Sequence, residues 1–444
     1  MSSGRPTIAV IGGGLLGLTA AYRLASEGVA VTLYERDRTL GGLAGQTDLG
    51  GIPVDRYYHV VLPTDDRVRG LAEELGLGDR MRFRHTGVGF WHAGEMTSMS
   101  SARELLTFPS MRPIDRVRLG AFVARCQLIG DHAALDEESL ESWLRRMCGD
   151  RLWDGLWRPL LDSKFDGRFD DLPATYLWAR TRRMSKTRDR SSREVMGTIH
   201  GGYQVLVDAL AAAIRAAGGT IHTGTPVKTI AAAGGRAVGV VTGEGFHAFD
   251  EVLCTLLPVH REALLDDELR RAVGPDPVRY LGVVSLLLRL RRPLSPYYAL
   301  NITDRSVPLT TVVETTHVVD PELAGGTLIY VPKYVNPDSP DLELSNREVR
   351  DTYFGHLQRI FGDVTEDDIL AWQVSRARHA EPVHTLGQAG KARDLQPAPG
   401  LTTASTADIY PELVNGQAVL GVAEQVVERL RLRLQDVEQE RQAA

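Results

Sequence analysis

The chain has 444 residues, 43% hydrophobic and 24% charged, which is the balance of an ordinary globule with length for two or three domains. Its net charge of −6 gives no general attraction to nucleic acid or to an anionic membrane surface. No window approaches the roughly 18 uninterrupted apolar residues of a spanning helix, and the opening "MSSGRP" carries no apolar run, so neither a membrane span nor a signal peptide is expected.

The first element is "TIAVI", Thr7 to Ile11, a β-branched apolar run of the kind buried on both faces of a parallel sheet. Gly12, Gly14 and Gly17 follow in G-x-G-x-x-G spacing. Gly12 permits the tight turn out of the strand, Gly14 lets backbone amides approach a pyrophosphate, and Gly17 lets the next helix pack close on the sheet. That helix is expected from Leu15 to Glu27, with Leu15 and Leu16 at its amino end and Gly28 as a left-handed cap. A second strand, Ala30 to Tyr34, delivers Glu35, 18 residues past the last glycine, where a carboxylate accepts hydrogen bonds from a ribose diol. An acid at this place argues against a 2′-phosphate, and so against NADP in this cradle.

Gly41 and Gly42, in "ERDRTLGGLAGQ", add a second glycine step just past the acid. With it the chain resembles the FAD-dependent amine oxidase and protoporphyrinogen oxidase superfamily, whose members include phytoene desaturases and, more distantly, UDP-galactopyranose mutases. Further segments carry the same likeness. "GIPVDRYYHVVLPTDDRV" (Gly51 to Val68) resembles the segment that passes the isoalloxazine ring. "IHGGYQVLVDALAAAIRAAGGTIHTGTPVKTI" (Ile199 to Ile230) resembles the second FAD block, "DEVLCTLLP" the returning strand, and "STADIYPEL…GVAEQVVERL" the last FAD segment. The resemblance implies an α/β fold: a Rossmann-like FAD-binding domain of glutathione-reductase type with an inserted α+β substrate domain. It implies FAD contacts at Gly12, Gly14, Leu15, Leu16, Gly17, Glu35, Arg36, Gly41, Gly42, Leu43, Ala44, Tyr58, His59, Val227, Thr255, Ser405, Thr406 and Asp408.

The FAD domain is expected in three pieces, residues 1–90, 195–260 and 395–444. The substrate domain is expected from residues 91–194, opening on a hairpin ("VGFWHAGEMTSMS") and then mostly helical, and from the strand-rich 261–394. The tail reads as an amphipathic helix that turns polar and frays.

His59, closing "DRYYH", falls by resemblance beside the flavin on the substrate side, and histidine is the natural proton acceptor near neutral pH. The plainer alternative is a hydrogen bond to the flavin or backbone. Asp55 reads as tying the loop, and Tyr57 and Tyr58 as pocket wall or packing. "RLWDGLWRPLLDSKFDGRF" places Trp153 and Trp157 four apart on one helix face, more often core than sugar platform, with Lys164 facing cofactor, anionic substrate or solvent. "ARTRRMSKTRDRSSR", Ala179 to Arg193, holds seven basic residues against one acid. It reads either as a solvated loop or as a clamp in which Arg180, Arg182 and Arg183 grip a diphosphate. Glu314, Lys333, Tyr334, His379 and His384 are polar groups on or beside apolar strands, of which Glu314 and Tyr334 are carried forward as substrate candidates.

Cys126, Cys148 and Cys254 are widely spaced, without a C-x-x-C, and read as reduced buried thiols of a cytoplasmic protein. The twelve histidines show no ligand spacing, so no metal is expected. Two departures from the family stand out. Leu43 occupies the place where monoamine oxidases carry an arginine, and Ser405-Thr406 replaces the usual Gly-Asp/Glu at the ribityl chain, where Asp408 is an alternative. With no cysteine near the last ring contact, FAD attachment is expected to be non-covalent. No second glycine cradle for NAD(P)H is present, so the electron acceptor is open, as is a homodimer.

The resemblance implies an FAD-dependent oxidoreductase that moves a hydride from a small biosynthetic substrate (a sugar derivative, isoprenoid or other secondary metabolite) to flavin N5. The alternatives are a redox-neutral flavin mutase of a nucleotide-linked sugar and a non-enzymatic flavin-binding scaffold.

Overall fold

The apolar run Thr7–Ile11 is the central strand of a five-stranded parallel sheet. The computed structural model, which describes residues 5–98, 111–187, 193–304 and 306–443, orders that sheet Leu401–Thr403, Glu251–Cys254, Thr7–Ile11, Ala30–Tyr34, Thr220–His222. Side chains alternate between its faces with the period of two that a strand imposes. Ile8 and Val10 pack on one face among helices Leu15–Ser26, Gln204–Ala216 and Gly416–Ala443, through Leu18, Leu24, Leu206, Leu210, Ala423 and Val427. Ala9 and Ile11 pack on the other face against Ile230, Ala237 and Val240 of a three-stranded antiparallel sheet. Both faces are covered, which is why these strands read as unbroken apolar runs.

A second, seven-stranded sheet runs Ile369–Val383, Arg279–Leu290, Thr327–Val335, Thr311–Glu314, Ala299–Ile302, Val88–His92, Glu95–Ser98. Only Ala299–Ile302 and Val88–His92 pair in parallel; the other neighbours are antiparallel. Val284, Leu286, Ile329 and Val331 meet the helix Asn346–Ile360 through Val349, Tyr353 and Leu357. A capping box between Ser345 and Glu348 starts that helix. The opposite face carries Leu287, Tyr330 and Val313, which close on Leu49, Val54 and Leu62 from the chain just after the second glycine step. The two sheets thereby share a seam.

A helical lobe packs around Phe122, Trp143, Trp153 and Phe165. The chain enters it past Met81–Thr86 and returns through Glu194–Ile199, which pairs antiparallel with that strand. Two sequence expectations are corrected here. Arg151 to Phe169 is not one regular helix: a π-helical turn, Trp153–Trp157, sits between Asp150–Leu152 and Arg158–Phe165. Both tryptophans nevertheless reach the one core of the lobe: Trp153 is buried, and Trp157 packs on Phe122 with ring centroids 5.5 Å apart. The basic stretch that begins at Ala179 is no loop at its start, because Thr175–Ser185 is a helix with Leu177 and Trp178 in the core. Residues 188–192 of that stretch lie outside the described residues.

Candidate functional site

The cradle lies at the carboxyl ends of the parallel strands, the edge at which such sheets receive nucleotides. Gly12 leaves the first strand at φ +110°, and its amide donates to the Tyr34 carbonyl at 2.9 Å. A Cβ on Gly17 would stand 2.0 Å from the Gly12 carbonyl oxygen, so the helix reaches the turn only without a side chain there. Gly14 differs: a Cβ there would meet nothing within 4 Å. Gly14 caps the helix without a side-chain hydrogen bond, so the first amides, those of Leu15 and Leu16, begin at open space. The second glycine step closes the far wall. Gly41 donates to the Gly13 carbonyl at 2.8 Å, and the Cβ position of Gly42 is 3.5 Å from Gly14 Cα.

Glu35 is buried at the end of the second strand, accepting from the Gly13 amide at 2.6 Å through Oε2 and from the Asp37 amide at 2.9 Å through Oε1. The acid thus braces the glycine turn while standing at its rim. Thr255 Oγ1 donates to the Ile11 carbonyl at 2.9 Å, locking the end of the strand Glu251–Cys254 that precedes it to the same turn. Val227 packs in the core behind the sheet, Ala44 is buried, and Arg36 and Leu43 are exposed at the rim. Ser405 and Asp408 are spent largely on one another. The Ser405 amide donates to Asp408 Oδ2 at 2.7 Å, Ser405 Oγ accepts from the Ala407 amide at 3.2 Å, and Arg393 Nε lies 2.9 Å from Asp408 Oδ1; Thr406 begins the short turn between them. An open, amide-lined turn with a braced acid fits a nucleotide pyrophosphate and its ribose.

Past the cradle, Pro53–Asp55 carries the chain under the seven-stranded sheet. Asp55 Oδ1 accepts from the Tyr203 amide at 3.0 Å, and the Tyr330 hydroxyl donates to the Asp55 carbonyl at 2.6 Å. Gly202 makes this approach possible: it has φ +81°, and a Cβ would sit 2.5 Å from Asp55 Oδ1. His59 rests against Tyr203, ring centroids 4.8 Å apart, with Nδ1 3.9 Å from Asp55 Oδ2. Burial pushes the Asp55 carboxyl up to about 7 and the His59 imidazole down to about 4. Asp55 therefore both ties the loop and titrates near neutrality.

Next to this pair is a wall of phenols and charges. Tyr58 stands edge-on to Tyr330, 6.2 Å between centroids, and within electrostatic reach of Tyr334, Lys164 and Arg180. Lys164 is not in open solvent: Nζ is 2.5 Å from Glu381 Oε2 and 3.2 Å from the centroid of the Tyr334 ring. Arg180 is solvent-accessible, yet strongly desolvated and close to Tyr176, Glu381, Tyr58 and Tyr334. Tyr176 and Glu381 also line a pocket with Phe165, His384, Tyr410 and Leu413.

Other candidates stand elsewhere. Arg183 forms a bidentate pair with Asp65, at 2.9 and 3.1 Å, and Arg182 donates to the Ile129 carbonyl over the Trp178 ring, so neither joins Arg180 in a clamp. Glu314 is buried and accepts from the Leu294 and Ser295 amides, at 3.2 and 3.3 Å, holding a loop. Lys333 pairs with Asp341 at 2.7 Å, His384 bonds the Ile409 carbonyl at 3.0 Å, and His379 packs on His260 and Tyr280. The Tyr57 hydroxyl is buried without a partner among the described residues. The sequence does not single out Tyr176, Tyr203, Tyr330 or Glu381. A signal for two of them existed: Tyr176 and Arg180 are four apart on a helix, and Tyr330 and Tyr334 four apart on a strand, each pair on one face.

The parallel sheet, its glycine edge and the second sheet closing over it define a nucleotide-cofactor-binding α/β protein. Residues 17–423 match the family of flavin containing amine oxidoreductases, and the chain belongs to that family. A coproporphyrinogen III oxidase of Mycobacterium leprae is 42% identical over 76 residues, 16% of this chain and 17% of that protein. One of Bacillus subtilis is 23% identical over 265 residues, 53% of this chain and 56% of that protein. The chain thus aligns with between about a sixth and just over half of these relatives. Among solved structures, an oxidoreductase from Methanosarcina mazei superposes with a TM-score of 0.76 at 20% identity, covering 95% of this chain and 100% of that one. A reduced UDP-galactopyranose mutase superposes at 0.71 with 14% identity, covering 96% and 95%. Both structural likenesses concern the fold. Among the described residues no helix is long and apolar enough to cross a membrane, and no group of three or more His, Cys, Asp or Glu side chains is placed to hold a metal.

Proposed function

We propose that the protein is an FAD-dependent oxidoreductase that removes a hydride from a small biosynthetic substrate, with the Asp55–His59 pair receiving the accompanying proton. The observation that carries this reading is the seam itself. A glycine cradle open at Gly14 leads, along one stretch of chain, to a half-buried acid and imidazole facing a wall of phenols. Family membership and relatives named as oxidases support the direction of the chemistry.

The cofactor would be held non-covalently by the amides of Gly14, Leu15 and Leu16 at its pyrophosphate and by Glu35 at its ribose; all three cysteines are buried. When bound, it supplies a two-electron acceptor at N5. The chain's own part is to hold a substrate C–H within about 3–3.5 Å of that position and to take the proton from the neighbouring N–H or O–H. A half-buried imidazole at about 4 is a weak base alone. With ionised Asp55 3.9 Å away, the imidazolium gains a counter-charge as it forms. The unpaired, buried cysteines also favour a reducing, cytoplasmic setting.

A second reading, a redox-neutral mutase of a nucleotide-linked sugar, is favoured by one observation: Arg180 is an exposed cation close to Tyr58, Tyr176 and Tyr334 that would suit a diphosphate. Anaerobic mixing of the flavin-loaded protein with candidate metabolites separates the two. Bleaching of the flavin by substrate supports the oxidoreductase. Turnover only after external reduction, with product mass equal to substrate mass, supports the mutase.

A further inference from the structure

A cavity of about 250 Å³ lies where the helical lobe meets the strand Val88–His92, with Phe90, Met111, Leu152 and Leu156 as its apolar walls. An apolar void of ~150 Å³ takes up benzene, so this one has room for a larger body. Among the described residues that line it, none belongs to the glycine cradle, to the Asp55–His59 pair or to the phenols around Tyr58. Its polar groups are settled in a particular way. Asp115 is buried and accepts from the Arg112 amide at 3.3 Å, with Arg151 Nε 3.2 Å away, so the lining carboxylate and guanidinium answer each other. Thr303 Oγ1 is 3.0 Å from the Trp91 carbonyl and 3.0 Å from His92 Nδ1. A hydroxyl has one proton, and a carbonyl can only accept it. The hydrogen between His92 and Thr303 is therefore carried by Nδ1, and the neutral imidazole keeps Nε2 as a bare acceptor. Among the described residues Nε2 has no hydrogen-bond partner.

The π-helical turn Trp153–Trp157 forms part of the same wall through Gly155 and Leu156. Glycine weakens a helix, yet no contact demands it here: a Cβ on Gly155 would meet nothing within 4 Å. What the missing side chain supplies is room. Widened turns of this kind recur at functional sites.

We propose that this cavity is a second binding site, for a neutral molecule with an apolar body and a hydroxyl or N–H head. The body packs on Phe90, Met111, Leu152 and Leu156, and the head donates to His92 Nε2. The mutual pairing of Asp115 and Arg151 leaves no spare charge to draw an ion, and Asp304, within electrostatic reach of His92, disfavours an anionic head. The site shares no residue with the proposed redox centre and stands or falls apart from it.

The test uses the full chain as wild type, Gly155→Leu and His92→Phe, with melting curves to show that each variant folds. Two probes share one ring system: 1-naphthol carries the donor, and 1-methoxynaphthalene lacks it. Each is titrated by calorimetry, with and without excess FAD. The expected result is saturable binding of 1-naphthol to wild type at one site, unaffected by FAD, with 1-methoxynaphthalene about tenfold weaker for the lost hydrogen bond. Gly155→Leu fills the cavity and should abolish binding of both. His92→Phe keeps the ring and removes the acceptor, so it should bind the two probes alike, 1-naphthol about tenfold more weakly than wild type does. No saturable binding of 1-naphthol overturns the proposal, as does undiminished binding in Gly155→Leu, which would put the probe elsewhere. Equal affinity of the two probes for wild type, or a preference for 1-naphthol that survives in His92→Phe, overturns the assignment of the head to His92. Displacement of 1-naphthol by FAD would assign the space to the cofactor and also contradict it. Should Gly155→Leu fail to fold, the probe preference in His92→Phe still decides.

Discussion

His59 Nδ1 lies 3.9 Å from Asp55 Oδ2, and burial drives both groups toward their neutral forms, the acid up to about 7 and the imidazole down to about 4. Their linkage to stability has opposite signs. The Asp55 contribution is complete below its unfolded value of about 3.9 and is lost as pH rises through about 7; that of His59 is complete above about 6.5 and is lost as pH falls through about 4. In wild type the two slopes largely cancel between these limits. Asp55→Asn keeps an acceptor for the Tyr203 amide and exposes the histidine slope, so its stability should climb with pH and exceed wild type by on the order of 2 kcal/mol above neutrality. His59→Gln should show the reverse slope. Chemical denaturation across this range decides it, and an Asp55→Asn variant less stable than wild type in mild alkali would be the contrary result.

The same pair governs turnover under the proposed function. Activity should rise through pH about 7 as Asp55 ionises, and Asp55→Asn should remove that limb and lower kcat by about tenfold or more. A pH profile of the variant parallel to wild type would place the titrating group elsewhere.

Gly14 and Gly17 should separate cofactor binding from folding. A Cβ at Gly17 would stand 2.0 Å from a backbone oxygen, so Gly17→Ala should cost about 1–3 kcal/mol of stability. A Cβ at Gly14 meets nothing in the protein, so Gly14→Val should fold with near-wild-type stability yet bind FAD at least about tenfold more weakly. Thermal unfolding of the apoprotein and flavin titration give the two readouts.

Arg183 should behave as a structural residue. Its partner Asp65 is buried and also accepts from the Leu62 amide at 2.8 Å. Arg183→Met would leave that carboxylate unpaired, at a cost of about 3–5 kcal/mol, while Arg182→Gln, which loses a carbonyl hydrogen bond and a ring contact, should cost only about 1 kcal/mol. Melting curves of the two variants check this.

The three thiols should resist modification. Burial raises Cys126 to about 12 and Cys148 and Cys254 to about 11, so a thiol reagent should label none of them in the native protein and all of them after denaturation. Rapid native labelling would contradict the packing.

What was legible in the sequence follows from how local each interaction is. The strand, the glycine spacing and Glu35 are set within a few dozen neighbouring residues, so the cradle could be read directly, and the parallel sheet with it. The cavity wall could not. Arg180, Arg182 and Arg183 look alike in "ARTRR", but about 100° of helical rotation per residue sends one toward Tyr176 and Glu381, one over Trp178 and one to Asp65. Glu314 and Glu381 are both acids on strands of one sheet. Only their neighbours, the Leu294 and Ser295 amides for one and Lys164 for the other, distinguish a loop tie from a site charge. The titration of Asp55 depends on burial beneath Tyr330 and Tyr203, residues far from it in sequence.

The most direct measurement is the visible spectrum of the purified chain before and after incubation with excess FAD, followed by denaturation and filtration. A yellow protein that releases its flavin into the filtrate is the predicted result. A preparation that stays colourless in excess FAD would contradict the account at its foundation.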